Sequence, residues 1–183
     1  MNLTRDQIVT AALGILDAYG LPDVSMRRIG STLGVQPSAL YWHFTSKQEL
    51  LAAMAEVILG DLPQFSHGDF SRIAPWAARF HALLTRHKDG AELVWSVLCL
   101  GTWEDSIGYQ VEQGLCACGV RAEFARTGAA GILHLVLGRA FDDDQRAQAV
   151  RLGVVCEPDS SDRAQALDDA IAIFVAGLQA RSC

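Results

Sequence analysis

Only three residues separate two helical segments near the N-terminus, and that spacing constrains the chain more than any other feature. Ser25 is a good N-cap, Met26, Ile29 and Leu33 face inward, and Gly34 ends the segment. Gly34-Val35-Gln36 is the whole connection. Pro37, suited to a first helical turn, opens the next segment, predicted to run from about Pro37 or Ser38 to Phe44. Gly34 allows the tight turn, with Ile29, Leu33, Val35, Leu40 and Phe44 as buried struts. The pair reads as a helix-turn-helix.

Helix signals recur along the rest of the chain, and no strand-like alternation is bounded by turns. Thr4-x-x-Gln7 is a capping box that opens a helix to about Tyr19, with Ile8, Ala12, Ile15, Leu16 and Tyr19 on one face and Gly20 and Pro22 as stops. Ser46-x-x-Glu49 is a second capping box, opening a helix to about Leu59. The stretch from Pro63 to Ser71 reads as the module boundary. Beyond it, Ile73, Trp76, Ala77, Phe80, Leu83 and Leu84 form an amphipathic stripe ended by His87-Lys88-Asp89-Gly90. A short segment near Ala91–Leu98 follows, then a helix from about Glu104 to Cys118. The segment from Arg121 to Phe141 is apolar on nearly all sides between Gly128 and Gly138, which predicts burial all round. After an acidic and polar stretch, Asp162-x-x-Gln165 caps a last helix to about Ala180, in which Leu167, Ile171, Phe174 and Leu178 repeat as a coiled-coil-like seam that needs a partner.

The formal net charge is −6, an unfavourable sum for contact with a polyanion. Its distribution matters more. From Leu51 onward there are 11 Lys and Arg against 17 Asp and Glu, whereas Ser25 to Lys47 holds Arg27, Arg28 and Lys47 and no acidic residue. No apolar run approaches the roughly 20 residues of a membrane span, and Met1 to Asp6 shows no signal pattern, so a cytoplasmic location is expected. The five cysteines, at 99, 116, 118, 156 and 183, are odd in number and form no CxxC pair; they read as reduced, mostly buried thiols.

In a helix-turn-helix the second helix presents side chains to base edges while its neighbours brace it on the backbone. The exposed positions of the second helix are Pro37, Ser38, Ala39, Tyr41, Trp42 and His43, small or aromatic residues suited to thymine methyls and hydrogen bonds. Arg27, Arg28 and Lys47 are placed for phosphate, and Ser25 and Gln36 complete the candidate DNA-contacting set.

The string from Val35 to Lys47, Val-Gln-Pro-Ser-Ala-Leu-Tyr-Trp-His-Phe-Thr-Ser-Lys, closely resembles the recognition helix of the tetracycline-repressor (TetR) family, over a stretch from Thr4 to about Leu59. Tyr41-Trp42-His43 is the spelling of the tetracycline-repressor subgroup. Phe80 through Lys88-Asp89-Gly90-Ala91, and His134-Leu-Val-Leu-Gly138 followed by Asp142, are similar to that subgroup more thinly. The resemblance implies an all-α fold: a helix-turn-helix module over residues 1–46, and a helical ligand-binding and dimerisation module over 47–183, with the helix at 47–60 as connector. It also implies a homodimeric regulator, a repressor rather than an enzyme, that leaves a palindromic operator when a small-molecule inducer binds. Two helices per subunit would form the dimer interface, here with Gly128, Gly131, Leu135, Leu167, Ile171, Phe174 and Leu178.

The chain departs from the subgroup where a metal–drug chelate would be held. Val94 stands where a histidine is expected, and a second pocket histidine falls near Pro63. An apolar or aromatic inducer fits better than a magnesium–tetracycline chelate, with Trp76, Phe80, Trp95, Trp103, Val111 and His134 as the candidate pocket and no cofactor or metal expected. His134 and Asp142 are eight residues apart, about 12 Å along a helix, too far for one coordination shell. No nucleotide-binding or nucleophile motif is present. Two alternatives stay open: a DNA-binding protein without a ligand, which would have a filled core, and an all-helical enzyme, which would need a polar constellation in its pocket.

Overall fold

The computed structural model describes residues 3–65, 68–100, 107–156 and 160–182, with the backbone alone described for 160–164. Every regular element among them is helical: α1 Arg5–Tyr19, α2 Met26–Leu33, α3 Pro37–Leu40, α4 Lys47–Leu59, α5 Ile73–Leu84, α6 Gly90–Cys99, α7 Ile107–Ala117, α8 Ala122–Arg151 and α9 Ser160–Gln179. The all-α fold with an N-terminal helix-turn-helix is as the sequence implies. The chain forms two compact units, residues 1–60 with 84–104 and residues 61–83 with 105–183. The predicted head, 1–46, lies inside the first, together with α4 and α6.

In the first unit α1, α2 and α4 each start where a side chain replaces a missing backbone acceptor. Thr4 and Gln7 form the reciprocal box that opens α1. Ser25 Oγ accepts the Arg28 N–H at 3.2 Å, and Ser46 Oγ accepts the Glu49 N–H at 3.1 Å. Ile8, Ala12 and Leu16 of α1, Ile29 of α2 and Leu50 and Met54 of α4 are fully buried, and α6 packs along α4. Two crossings carry the loop before α6 onto α1. His87 Nδ1 lies 3.0 Å from Asp17 Oδ1, and Asp89 Oδ2 accepts the Leu21 N–H at 2.7 Å. Asp89 itself is left-handed, with φ 54.

In the second unit α7 and α9 pack on α8. Within the single chain the apolar centre of α8 is buried on one side only. Gly128, Ala129, Ile132, Leu133, Val136, Leu137 and Ala140 are buried, whereas Ala130, His134 and Gly138 face outward. The helix also passes the predicted stop at Phe141 and continues ten residues to Arg151. The acidic triplet does not interrupt it because Arg139 grips Asp143, four residues on, at 3.1 Å, and His81 of α5 meets the same carboxylate at 2.9 Å. The stop is Gly153, left-handed with φ 70.

The seam of α9 finds its partner within its own chain. Leu167, Ile171 and Leu178 are buried, and the Phe174 ring stands directly over Gly131, where a Cβ would overlap it. A Cβ at Gly128 would come within 2.8 Å of Leu178. Gly128, Gly131 and the stripe Leu167, Ile171, Phe174 and Leu178 therefore join α8 to α9 within the chain, with Leu135 half-buried. The outward side of α9 carries Ala172, Ile173, Ala176 and Gly177, with Ile173 75% exposed. Asp162 lies inside the first turn of α9 rather than ahead of it, and Gln165 donates to Asp169 at 2.9 Å.

Candidate nucleic-acid interface

The turn between α2 and α3 is tighter than Gly34 alone accounts for. Gly34 is left-handed, with φ 67, and the Val35 N–H reaches back to the Gly30 carbonyl at 2.9 Å. The close approach falls at Gly30, where a Cβ would lie 2.9 Å from the Val35 carbonyl oxygen and 3.3 Å from the Pro37 nitrogen. The sequence reading assigned the turn to Gly34 and missed Gly30, whose spacing inside a helix carries no turn signal.

The helix α3 is a single turn that ends at Leu40, four residues short of the predicted Phe44. Tyr41, Trp42 and His43 continue as a turn, with the His43 and Phe44 N–H groups both bonded to the Leu40 carbonyl at 2.9 Å. Leu40 and Phe44 are fully buried with Ile29, while Leu33 and Val35 are half-buried. These struts leave Tyr41 52% and Trp42 90% exposed. Gln36 and Ser38 are exposed, Pro37, Ala39 and His43 half-exposed.

The basic residues divide. Arg27 is exposed and Lys47 half-exposed at the start of α4. Arg28 is engaged in its own head: it pairs with Asp23, and its guanidinium lies 3.8 Å from the centre of the Tyr19 ring. Arg5, which the sequence reading did not single out, is tied to the end of the recognition turn. It donates to the His43 carbonyl and, at 2.9 Å, to Glu49, and its guanidinium stacks 4.1 Å from the Phe44 ring centre. Glu49 in turn accepts the Thr45 N–H at 2.7 Å and the Thr45 hydroxyl at 2.9 Å. These bonds, that to the Thr45 N–H foremost and then that from Arg5, hold the Glu49 carboxyl below its ordinary pKa.

Residues 8–54 match the family model for bacterial regulatory proteins of the tetR family. Over almost its whole length the chain is also 30% identical to the crystal structure of Mycobacterium smegmatis BioQ, covering 99% of this chain and 100% of that one with a TM-score of 0.87. The chain belongs to the TetR family. A BioQ structure with its natural double-stranded DNA operator is 32% identical, covers 94% of this chain and 99% of that one, and has a TM-score of 0.72. The class A tetracycline repressor from transposon 1721 of Escherichia coli is 33% identical over 97 residues, 50% of this chain. The match spans 45% of that repressor, a little under half its length.

The TetR-family ligand residues proposed from sequence fall into separate places. Trp76 and Phe80 of α5 are buried and form an aromatic cluster with Phe65, at centroid distances of 5.4 Å from Phe65 to Trp76 and 5.3 Å from Trp76 to Phe80. Trp76 Nε1 donates to the Pro63 carbonyl at 2.9 Å. Val111 is buried in α7. The structure does not bring His134 into this cluster: it sits on the outward side of α8. Trp95 belongs to α6 in the first unit and is 43% exposed, and Trp103 lies outside the described residues. A cleft of about 690 Å³ opens beside the cluster, lined by Pro63, Gln64, Phe65, Arg72, Pro75 and Trp76 among others. A second, of about 400 Å³, lies beyond Phe65 against Tyr109, Gln110 and Gln113 of α7. Phe65 lies so close over Gly114 that a Cβ there would overlap its ring, so the presumed boundary at 63–71 is in part a packed wall. Val94, at the position expected to hold a histidine, is fully buried in α6. No group of three His, Cys, Asp or Glu able to hold a metal occurs among the described residues.

The expectation of mostly buried thiols needs correction. Cys99 ends α6 and Cys156 follows α8, and both are exposed; Cys116 and Cys118 are half-buried. Burial, with a smaller contribution from the Asp69 charge, pushes the Cys118 thiol up and disfavours its thiolate. No helix among the described residues is long and apolar enough to cross a membrane.

Proposed function

We propose that the chain is a transcriptional repressor. It binds a palindromic operator as a homodimer through the turn from Gln36 to His43, and a small molecule releases it. One observation carries this reading: Trp42, 90% exposed, and Tyr41, 52% exposed, stand on the fully buried Leu40 and Phe44. Large aromatic surface held outward by a rigid base favours contact with a partner. Small Ser38 and Ala39 beside it let the backbone come close to base edges, and Arg27 and Lys47 flank it for phosphate. The likeness to BioQ, solved with its operator, supports the same partner here.

A palindrome needs two heads set about 34–36 Å apart. The faces suited to joining two copies are the outward sides of α8, with Ala130, His134, Gly138 and half-exposed Phe141, and of α9, with Ala172, Ile173, Ala176 and Gly177. Small residues there let helices approach closely. The aromatic cluster of Phe65, Trp76 and Phe80 beside its cleft suits an apolar or aromatic inducer. Release follows if that molecule favours the conformation that binds DNA less well.

Fluorescence anisotropy of the full chain on duplexes from the DNA flanking its own reading frame tests the reading. Saturable binding to a palindrome at two subunits per site, weakening with salt, is the expected result. Equal, weak binding to that palindrome and to random duplex would overturn it.

A further inference from the structure

We infer that Arg5 is a positioning residue for operator recognition, setting the backbone of the recognition turn instead of gripping phosphate. The inference rests on the operator-binding reading above. A basic residue on the first turn of α1 would ordinarily be assigned to the DNA backbone. Its contacts assign it otherwise. Its Nη1 serves two acceptors at once, the His43 carbonyl and Glu49 Oε1, while its guanidinium covers the Phe44 ring.

The place of these contacts matters. Because α3 stops after one turn, the carbonyl of His43 has no helical partner downstream, and Arg5 supplies one. Two residues on, Glu49 holds both the N–H and the hydroxyl of Thr45. The Arg5–Glu49 pair thus closes a clamp around the segment His43-Phe44-Thr45, with Phe44 locked beneath. Trp42 and His43 take their direction from that backbone. A planar guanidinium serves two acceptors and a ring face together, which an ammonium does not reproduce.

The test compares wild type, Arg5→Ala, Arg5→Lys and Glu49→Gln on the selected palindrome and on random duplex of equal length, across a salt series from about 50 to 200 mM. A positioning role predicts that Arg5→Ala loses about tenfold on the palindrome, as expected for a charged hydrogen bond, with random-duplex affinity and the salt slope unchanged. Arg5→Lys fails to restore the palindrome affinity, and Glu49→Gln shows the same selective loss to a lesser degree. Should Arg5→Ala not fold, Arg5→Lys decides, since it keeps the charge and the stem. Near-wild-type palindrome binding by Arg5→Lys overturns the inference. So does an equal loss on both duplexes by Arg5→Ala with a salt slope smaller by about 0.9, the mark of a phosphate contact. A wild type that does not prefer any palindrome overturns the operator reading itself, an outcome seen before any variant is measured.

Discussion

Asp89 and Leu21 are joined by a 2.7 Å hydrogen bond across 68 residues of chain, from a left-handed residue before α6 to the connection after α1. A hydrogen bond to a charged acceptor is worth about 1.5–3 kcal/mol when its partner is left unsatisfied. Asp89→Ala should therefore lower stability by about 2 kcal/mol, some 4–8 °C for a chain of this size. Asp89→Gly loses the same bond but relieves the left-handed strain, and should be milder by about 1 kcal/mol. Thermal melts of the two variants check the order.

Gly30 and Gly34 should respond differently to the same added methyl. At Gly30 the Cβ meets the Val35 carbonyl at 2.9 Å, whereas at Gly34 the space is open and only φ 67 opposes it. Gly30→Ala should cost up to about 3 kcal/mol through forced backbone movement, and Gly34→Ala about 1–2 kcal/mol. Urea titrations give both values.

Ile173 and Phe174 are neighbours with opposite roles. Phe174 packs over Gly131 within the chain, and Ile173 is 75% exposed. Ile173→Asp should shift sedimentation from dimer to monomer while leaving the monomer helical. Phe174→Asp should lower the melting temperature of the subunit itself, since it places a charge against α8.

Trp42→Ala should leave the melting temperature within the range of ordinary surface changes, about 0.5 kcal/mol, because the ring is 90% exposed. It should weaken palindrome binding at least tenfold, as expected for removal of an interface tryptophan. Anisotropy and melting on the same preparation separate the two effects.

The pH dependence of stability should carry the signature of Glu49. Its carboxyl is held below 4.5 by the Thr45 N–H, the Arg5 side chain and the Thr45 hydroxyl. The folded chain thus holds the proton less tightly than the unfolded chain. The contribution is fully present above about pH 4.5 and is lost as pH falls through the lowered folded value. The stability difference between wild type and Glu49→Gln should shrink over that acid range. A difference that stays constant between pH 6 and 3 would sink the assignment.

Much of this was readable from local patterns. The capping residues Thr4, Ser25 and Ser46 act through neighbours three residues away, so their role is written in short spacing. The seam of α9 was also visible, but a heptad stripe states only that a partner exists. Its partner proved to be α8 of the same chain, a long-range fact that no spacing encodes. The same limit hid Arg5, whose acceptors lie 38 and 44 residues away. Gly30 escaped notice because its neighbour is created by the turn itself. The candidate pocket was scattered because aromatic residues alone do not report which helix face looks inward.

The single turn of α3 has one more implication. Four helical residues are far below the roughly 12–15 that hold a helix unaided in water. A peptide copying residues 36–44 would therefore be a random coil, and grafting that peptide onto another loop would transfer its letters without its shape. Whatever partner the chain reads is read by the entire head at once, so evolving a new preference at Tyr41 or Trp42 demands that α1 and α4 keep their grip while the outward side chains vary.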